Sequence, residues 1–296
     1  MSALFTSICR NLFEHVAYIQ ACTPGMRVER HGEWLLADSG FGTDTFNKIV
    51  CPDRMALDKE RTEEFQALLA VAGRRFSGLE RQSLFPLADA FSPQVEGKRA
   101  FSIWTGTEHP ENEGRLCSAF ELAGYRKTEE EQAMFLQFSQ VSMDNFQERH
   151  GIRITPVRTL AEIDAFARVM GANWTPPDME VPLFFRRGAK ALLKERSPMR
   201  LFLAFAGEEP VGCGELFLSE GGAVAGLHMV ATLKAWRGRG VGSTMTTALL
   251  MAGRAAGAGR AVLLASEEGA PVYSRQGFAA CGKFFEFSPA EEDVLF

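Results

Sequence analysis

Residues 236–245 read WRGRGVGSTM, three glycines interleaved with two arginines between a strand-like run and an apolar-periodic helix. Glycine loses more backbone freedom on folding than any other residue, so a cluster at a strand-to-helix junction marks a place where the main chain itself must touch something. The junction commits its neighbourhood to a strand–turn–helix unit.

Periodicity extends that unit in both directions. A strand is expected at 152–157, helices at 160–173 and 181–195, strands at 201–205, 211–218 and 223–232, and a helix from Val241 that ends at Gly257 or Gly259. A buried-type strand at 261–265, a short helix at 271–276 and a last strand at 283–287 follow. This order predicts an α/β domain with a mixed, mostly antiparallel sheet flanked by helices. Its size of roughly 140 residues is ordinary for one domain. The polar stretch SQVSMDNFQERHG at 139–151 reads as a boundary, giving an N-terminal domain at 1–145 and a second at 151–296.

In the N-terminal half, helical spacing is expected at 4–21 and 63–72, and strands at 34–36 and 48–51. Its end, RAFSIWTG, RLCSAFELAGY and EQAMFLQF, repeats the strand, short helix, Gly-aromatic turn and strand of residues 260–287. Gly124-Tyr125 stands where Gly277-Phe278 stands; the match is one of pattern, not of identity.

The formal net charge of -5 supplies no global field for nucleic acid or an anionic membrane, so a polyanionic ligand has to be held locally. Six scattered cysteines without a C-x-x-C pair read as reduced thiols of a cytoplasmic protein, and no metal is expected. The N-terminus lacks the basic and apolar regions of a secretory signal, and residues 244–265 are interrupted by Arg254 and Arg260, so no spanning helix is expected.

A P-loop would need a lysine after the glycines, and none follows. A G-x-G-x-x-G fingerprint would need glycine where Ser243 or Met245 stands. The spacing that fits is R-x-x-G-x-G, through Arg237, Gly240 and Gly242. A pyrophosphate suits such a loop: a helix start offers main-chain N–H groups and the positive end of the dipole, and a Cβ would hold the phosphate away. Arg237 and Arg239 add charge, and Ser243 and Thr244 are expected to cap the helix and donate to phosphate.

With HMVATLKAWRGRGVG leading into the loop and ASEEGAPVYSRQGF after it, the chain over 152–287 resembles the GCN5-related N-acetyltransferase (GNAT) family. The resemblance implies acetyl-CoA as cosubstrate, held by main-chain groups near Val230 and Thr232 and by Arg237, Gly238, Arg239, Gly240, Val241, Gly242, Ser243 and Thr244. It also implies that the N-terminal half is a degenerate copy of the same domain, the two standing in tandem.

Acetyl transfer to an amine needs a base for the ammonium proton and an acid for the departing thiolate, whose pKa is about 8.5. By the resemblance Tyr273, one of three tyrosines, is the general acid. Its competing role is aromatic packing. His228, on the strand ahead of the loop, is a candidate base through water, with Gly226 leaving room beside it and a titration expected at roughly pH 6–7.5. Glu215 is the second candidate base. Trp174 and the TPPD that follows it wall the substrate pocket or cover the sheet edge; Phe184, Phe185 and Leu192 form core or a lid. The acceptor is a small-molecule or peptide amine of unspecified identity, and the oligomeric state is left open. Two other readings stand beside the enzyme: a non-catalytic acyl-CoA-binding regulatory module, and an N-terminal half that recruits a polypeptide acceptor.

Overall fold

A computed structural model describes residues 2–51, 62–77, 98–140 and 151–290. The expected boundary segment at 141–150 lies outside them. Two compact units emerge, and neither is continuous in sequence: one takes Pro24–Glu131 with Gly282–Phe296, the other Ala3–Thr23 with Gln132–Cys281. This differs from the single division between 145 and 151, and the packing of two chain segments explains why.

The first segment is helix α1 (Ala3–Cys22), which packs within the second unit. Phe5, Ile8, Leu12 and Ile19 form its buried face, each at most 3% exposed. Burial of one such side chain contributes about 1.5–3 kcal/mol, so the helix is held there by its apolar stripe. The second segment is the last strand, β11 (Ala279–Pro289), which carries the chain back into the first unit, where Lys283–Phe287 pair antiparallel with Ile103–Thr107.

The first unit orders its strands β1 (Arg27–His31), β2 (Trp34–Asp38), β3 (Lys48–Val50), β4 (Ser102–Thr107), β11 and then the start of β5 (Tyr125–Gln137). Strands β3 and β4 are parallel, and helix α2 (Thr62–Phe76) lies between them in the chain. Helix α3 (Pro110–Leu122) then leads into β5 through Gly124, at φ +85°.

The second unit orders its strands as the end of β5, then β10 (Arg260–Ala265), β9 (Val224–Thr232), β8 (Glu209–Ser219), β7 (Met199–Ala206) and β6 (Ile152–Pro156). Only β9 and β10 are parallel among these pairs. Helix α6 (Val241–Ala255) joins them, and α7 (Ala270–Ser274) follows β10, with Gly277 at φ +96° before β11. The repeat read from the sequence therefore has a structural counterpart, a parallel strand pair joined by a helix, a further helix, a left-handed glycine and a strand. Helices α4 (Leu160–Gly171) and α5 (Glu180–Leu192) connect β6 to β7 and complete the mixed, mostly antiparallel architecture. Phe184, Phe185 and Leu192 are core.

Two contacts seat α6 against the sheet. A Cβ on Gly214 of β8 would come 2.7 Å from Met245 Cγ, and one on Gly253 of α6 would come 2.7 Å from Ala225 Cβ. Glycine at each allows helix and sheet to approach closely, which brings the start of α6 to the end of β9. In the first unit the corresponding helix is α2, whose first turn carries Glu63 and Glu64. Carboxylates there oppose anion binding, so the repeat preserves the architecture and not the phosphate-binding end. Among the described residues no helix is long and apolar enough to cross a membrane.

Candidate active site

The parallel ladder between β9 and β10 runs from Val224 opposite Arg260 to Leu227 opposite Leu263 and stops. Beyond it β10 stays with β5 as far as Ala265, while β9 stays with β8 as far as Thr232. The two central strands part at His228. Against β8 the register moves from Glu215 opposite His228 to Cys213 opposite Ala231, two residues facing three, and Met229 in between takes φ +49°. This is a β-bulge, and it leaves the β10-facing edge of His228–Thr232 outside the parallel ladder. Val230 and Thr232 are half-buried on this stretch.

After a 3-10 turn at Lys234–Trp236, the chain passes Gly238 at φ +74° and Gly240 at φ +84° and enters α6. Gly240 is the N-cap, and no side chain caps the helix. The first backbone bond is Thr244 N to Gly240 O at 3.0 Å, so Val241, Gly242 and Ser243 carry the N–H groups that an intrahelical ladder cannot satisfy. A Cβ on Gly238 would meet nothing within 4 Å, and one on Gly242 only Thr232 Oγ1 at 3.9 Å. Arg237 and Arg239 are exposed beside this opening, Arg239 over the Trp236 ring at 4.9 Å. Bare N–H groups, open space and two cations suit the pyrophosphate of an acyl-CoA.

Thr244 departs from expectation. It is buried, and its hydroxyl donates to Gly240 O at 3.0 Å, so it serves the helix interior. The apolar surroundings that accept Met245 and Val241 into the core draw Thr244 in with them, and its hydroxyl is satisfied by the preceding turn. Val241 is likewise buried and has only its main chain to offer. Ser243 is half-buried, and its carbonyl accepts from Gln276 Nε2 at 2.8 Å, which ties the start of α6 to the end of α7.

Arg237 donates to Asn173 Oδ1 at 3.2 Å and to Thr232 O at 3.4 Å, both neutral acceptors. Arg237→Ala is therefore expected to weaken coenzyme A binding by about 1.5 kcal/mol, roughly tenfold, the lower end for a charge-assisted bond. The melting temperature should not change, because the side chain is exposed. Calorimetric titration with coenzyme A checks this, and unaltered affinity would remove Arg237 from the site.

Tyr273 lies on α7, the short helix that follows β10. Its ring is half-buried and meets Phe278 edge-on at 5.9 Å, on the border of the second unit's core. Trp174, half-buried, sits in the loop between α4 and α5 next to Asn173.

The other face of β8 and β9 holds the two candidate bases, and α1 covers them. Glu215 is 1% exposed, with Oε1 at 2.7 Å from His15 Nε2; the contact is short but off the axis that a hydrogen bond requires. The His15 ring stacks on His228, centroids 3.8 Å apart and planes 6° from parallel. His228 Nε2 lies 2.8 Å from Asn11 Oδ1. The space beside Gly226, expected to admit an amine or a water, is taken by Asn11: a Cβ there would stand 2.0 Å from its Oδ1. Burial first, and then the second imidazole, His15, hold the His228 pKa well below the usual 6.5. The range of pH 6–7.5 expected for its titration is thus too high.

Asn11 and His15 were not among the expected site residues. Their signal is the spacing of Ser7, Asn11 and His15 at i, i+4 and i+8, a polar line along the buried side of an apolar helix. Ser7, at 4% exposure, accepts from Arg260 at 3.3 Å.

Residues 161–278 match the model of the Acetyltransferase (GNAT) family. Solved structures of the same fold include a GCN5-related N-acetyltransferase from Kribbella flavida, 14% identical with a TM-score of 0.63, covering 95% of this chain and 95% of that one. Another is a GCN5-related N-acetyltransferase from Sphaerobacter thermophilus, 15% identical with a TM-score of 0.54, covering 95% and 92%. A tandem GNAT protein from the clavulanic acid biosynthesis pathway is 11% identical with a TM-score of 0.56, covering 97% and 96%. No curated protein matches the chain.

Proposed function

We propose that this chain, whose residues 161–278 form a GCN5-related N-acetyltransferase domain, moves the acetyl group of acetyl-CoA to the primary amine of a small molecule or peptide. The family's general activity is acyl transfer from acyl-CoA. The observation that carries the finer reading is the parting of β9 from β10 at Leu227 and Leu263, directly ahead of the glycine-led start of α6. The parted edge offers main-chain groups near Val230 and Thr232 to the pantetheine arm, and the helix start, with Arg237 and Arg239, holds the pyrophosphate.

His228 is the base of choice over Glu215. A base has to reach the proton that it removes; His228 keeps partial exposure, whereas Glu215 is buried against His15. A depressed pKa keeps the imidazole neutral at neutral pH, the form that accepts a proton. His228 takes the proton from the acceptor nitrogen, whose freed electron pair forms the C–N bond. As the C–S bond breaks, Tyr273 supplies a proton to the thiolate that leaves with the bonding pair.

Turnover on a panel of amines tests the reading, and tight coenzyme A binding without transfer to any of them would make the chain a sensing module. The ascending limb of kcat is expected below pH 6.5, the ordinary histidine value, because protonation inactivates the base only there. His228→Gln should remove the limb and lower kcat about 10²-fold with coenzyme A affinity unchanged. A limb that survives the substitution shifts the assignment to Glu215. The same depression has a stability consequence: the unfolded chain binds the proton first. The contribution of neutral His228 is thus complete above its unfolded value and lost as pH falls toward the folded one.

A further inference from the structure

We propose that Asn11, on the N-terminal helix α1, is a positioning residue for the transfer reaction: its side-chain amide holds His228 as the Nε2–H tautomer and so assigns Nδ1 as the atom that takes the proton. The inference rests on His228 being the base.

The orientation of the Asn11 amide is set from outside the pair. Its Nδ2 lies 3.3 Å from the carbonyl oxygen of Phe217 and 2.7 Å from Ser219 Oγ. A carbonyl oxygen can only accept, so the nitrogen of the amide must face it and Oδ1 must face His228. Oδ1 in turn can only accept, and at 2.8 Å from Nε2 it requires a proton on that nitrogen. Neutral imidazole carries one ring proton, which leaves the lone pair on Nδ1. When Nδ1 is protonated, the same Oδ1 accepts from a now cationic ring, so the bond strengthens as the proton arrives.

The site is constructed for this contact. Asn11 is 1% exposed, a depth at which an asparagine is retained only with its polar atoms paired. Gly226, on β9 two residues before His228, leaves the space it fills: a Cβ there would stand 2.0 Å from Asn11 Oδ1 and 2.6 Å from His228 Nε2. The titratable groups facing His228 among the described residues are His15 on α1, stacked upon it, and Glu215 on β8, its cross-strand partner. The Asn11 substitutions alter neither of these side chains.

The experiment uses the full chain, its histidines labelled with 15N. The chain has five histidines, so substituting His228 and His15 singly assigns their signals. In the wild type, ring shifts should report a protonated Nε2 and a bare Nδ1 for His228. Asn11→Ala should mix the tautomers. With 2-phenylethylamine as the probe acceptor it should lower kcat about tenfold, leaving the KM for acetyl-CoA unchanged and shifting the ascending limb to lower pH. Asn11→Asp keeps an acceptor oxygen toward Nε2 and adds negative charge, so it should restore the tautomer and raise the limb by about one pH unit or more. A purely structural asparagine would instead lower the melting temperature in both variants without moving tautomer or limb. The tautomer arm requires no acceptor, and an Nδ1–H form in the wild type overturns the proposal outright. If His228→Gln leaves transfer unchanged, the base assignment fails; if it abolishes transfer while Asn11→Ala leaves tautomer and limb in place, only the role of Asn11 fails.

Discussion

Replacing Gly240 with valine is expected to raise the dissociation constant for coenzyme A at least 100-fold, a loss of about 3 kcal/mol, and to reduce transfer in proportion. Two effects act together at this position. Gly240 is the N-cap of α6 at φ +84°, a left-handed conformation that costs an L-residue about 1–2 kcal/mol and a β-branched one more. The chain relieves that strain by rotating the turn, which withdraws the N–H groups of Val241, Gly242 and Ser243 from their common direction. The side chain also enters the region where a phosphate must approach the main chain. Gly240→Asn is the matching control, since asparagine tolerates the left-handed region; it should recover folding of the turn and only part of the affinity. Calorimetry and a melting curve separate the two terms. Wild-type affinity in the valine variant would mean that the helix start does not hold the pyrophosphate.

The glycine loop was legible because its demand is local. Spacing, the preceding strand and the following helix all lie within one stretch of chain, and the structure places Arg237 and Gly240 on a turn whose glycines 238 and 240 are left-handed, with Gly242 in the first turn of α6. The order of strands and helices from residue 152 onward was legible for the same reason: periodicity reports each element from its own residues. Partners are another matter. Alternation marks residues 283–287 as a strand but says nothing of which strand accepts it, and β11 pairs with β4, far earlier in the chain. The helix at 4–21 was evident from its apolar stripe, yet the surface that it covers is not. Its Asn11 meets His228 across 217 positions of sequence. Gly226 shows the limit in one residue. A small side chain beside a histidine signals space, and only the folded chain shows that Asn11 occupies it. Thr244 errs in the opposite direction, since its place in the first turn suggested a ligand while the helix rotation turned it into the core.

Tyr273→Phe should lower kcat about 10²-fold while leaving the dissociation constant for coenzyme A unchanged within error. The ring makes the packing contact, edge-on to Phe278 at 5.9 Å, and phenylalanine preserves it; α7 and its tie from Gln276 to Ser243 are untouched. What is lost is the phenolic proton. If that proton goes to the departing sulfur, the deficit depends on how badly the sulfur needs it. A thiolate of pKa about 8.5 leaves poorly unprotonated, whereas the thiolate of an aryl thioester is stable enough to leave without help. The ratio of wild-type to variant rates should therefore fall toward unity when acetyl-CoA is replaced by S-acetyl-4-nitrothiophenol. A ratio that is the same for both thioesters would assign Tyr273 to packing alone, with the leaving sulfur protonated from water.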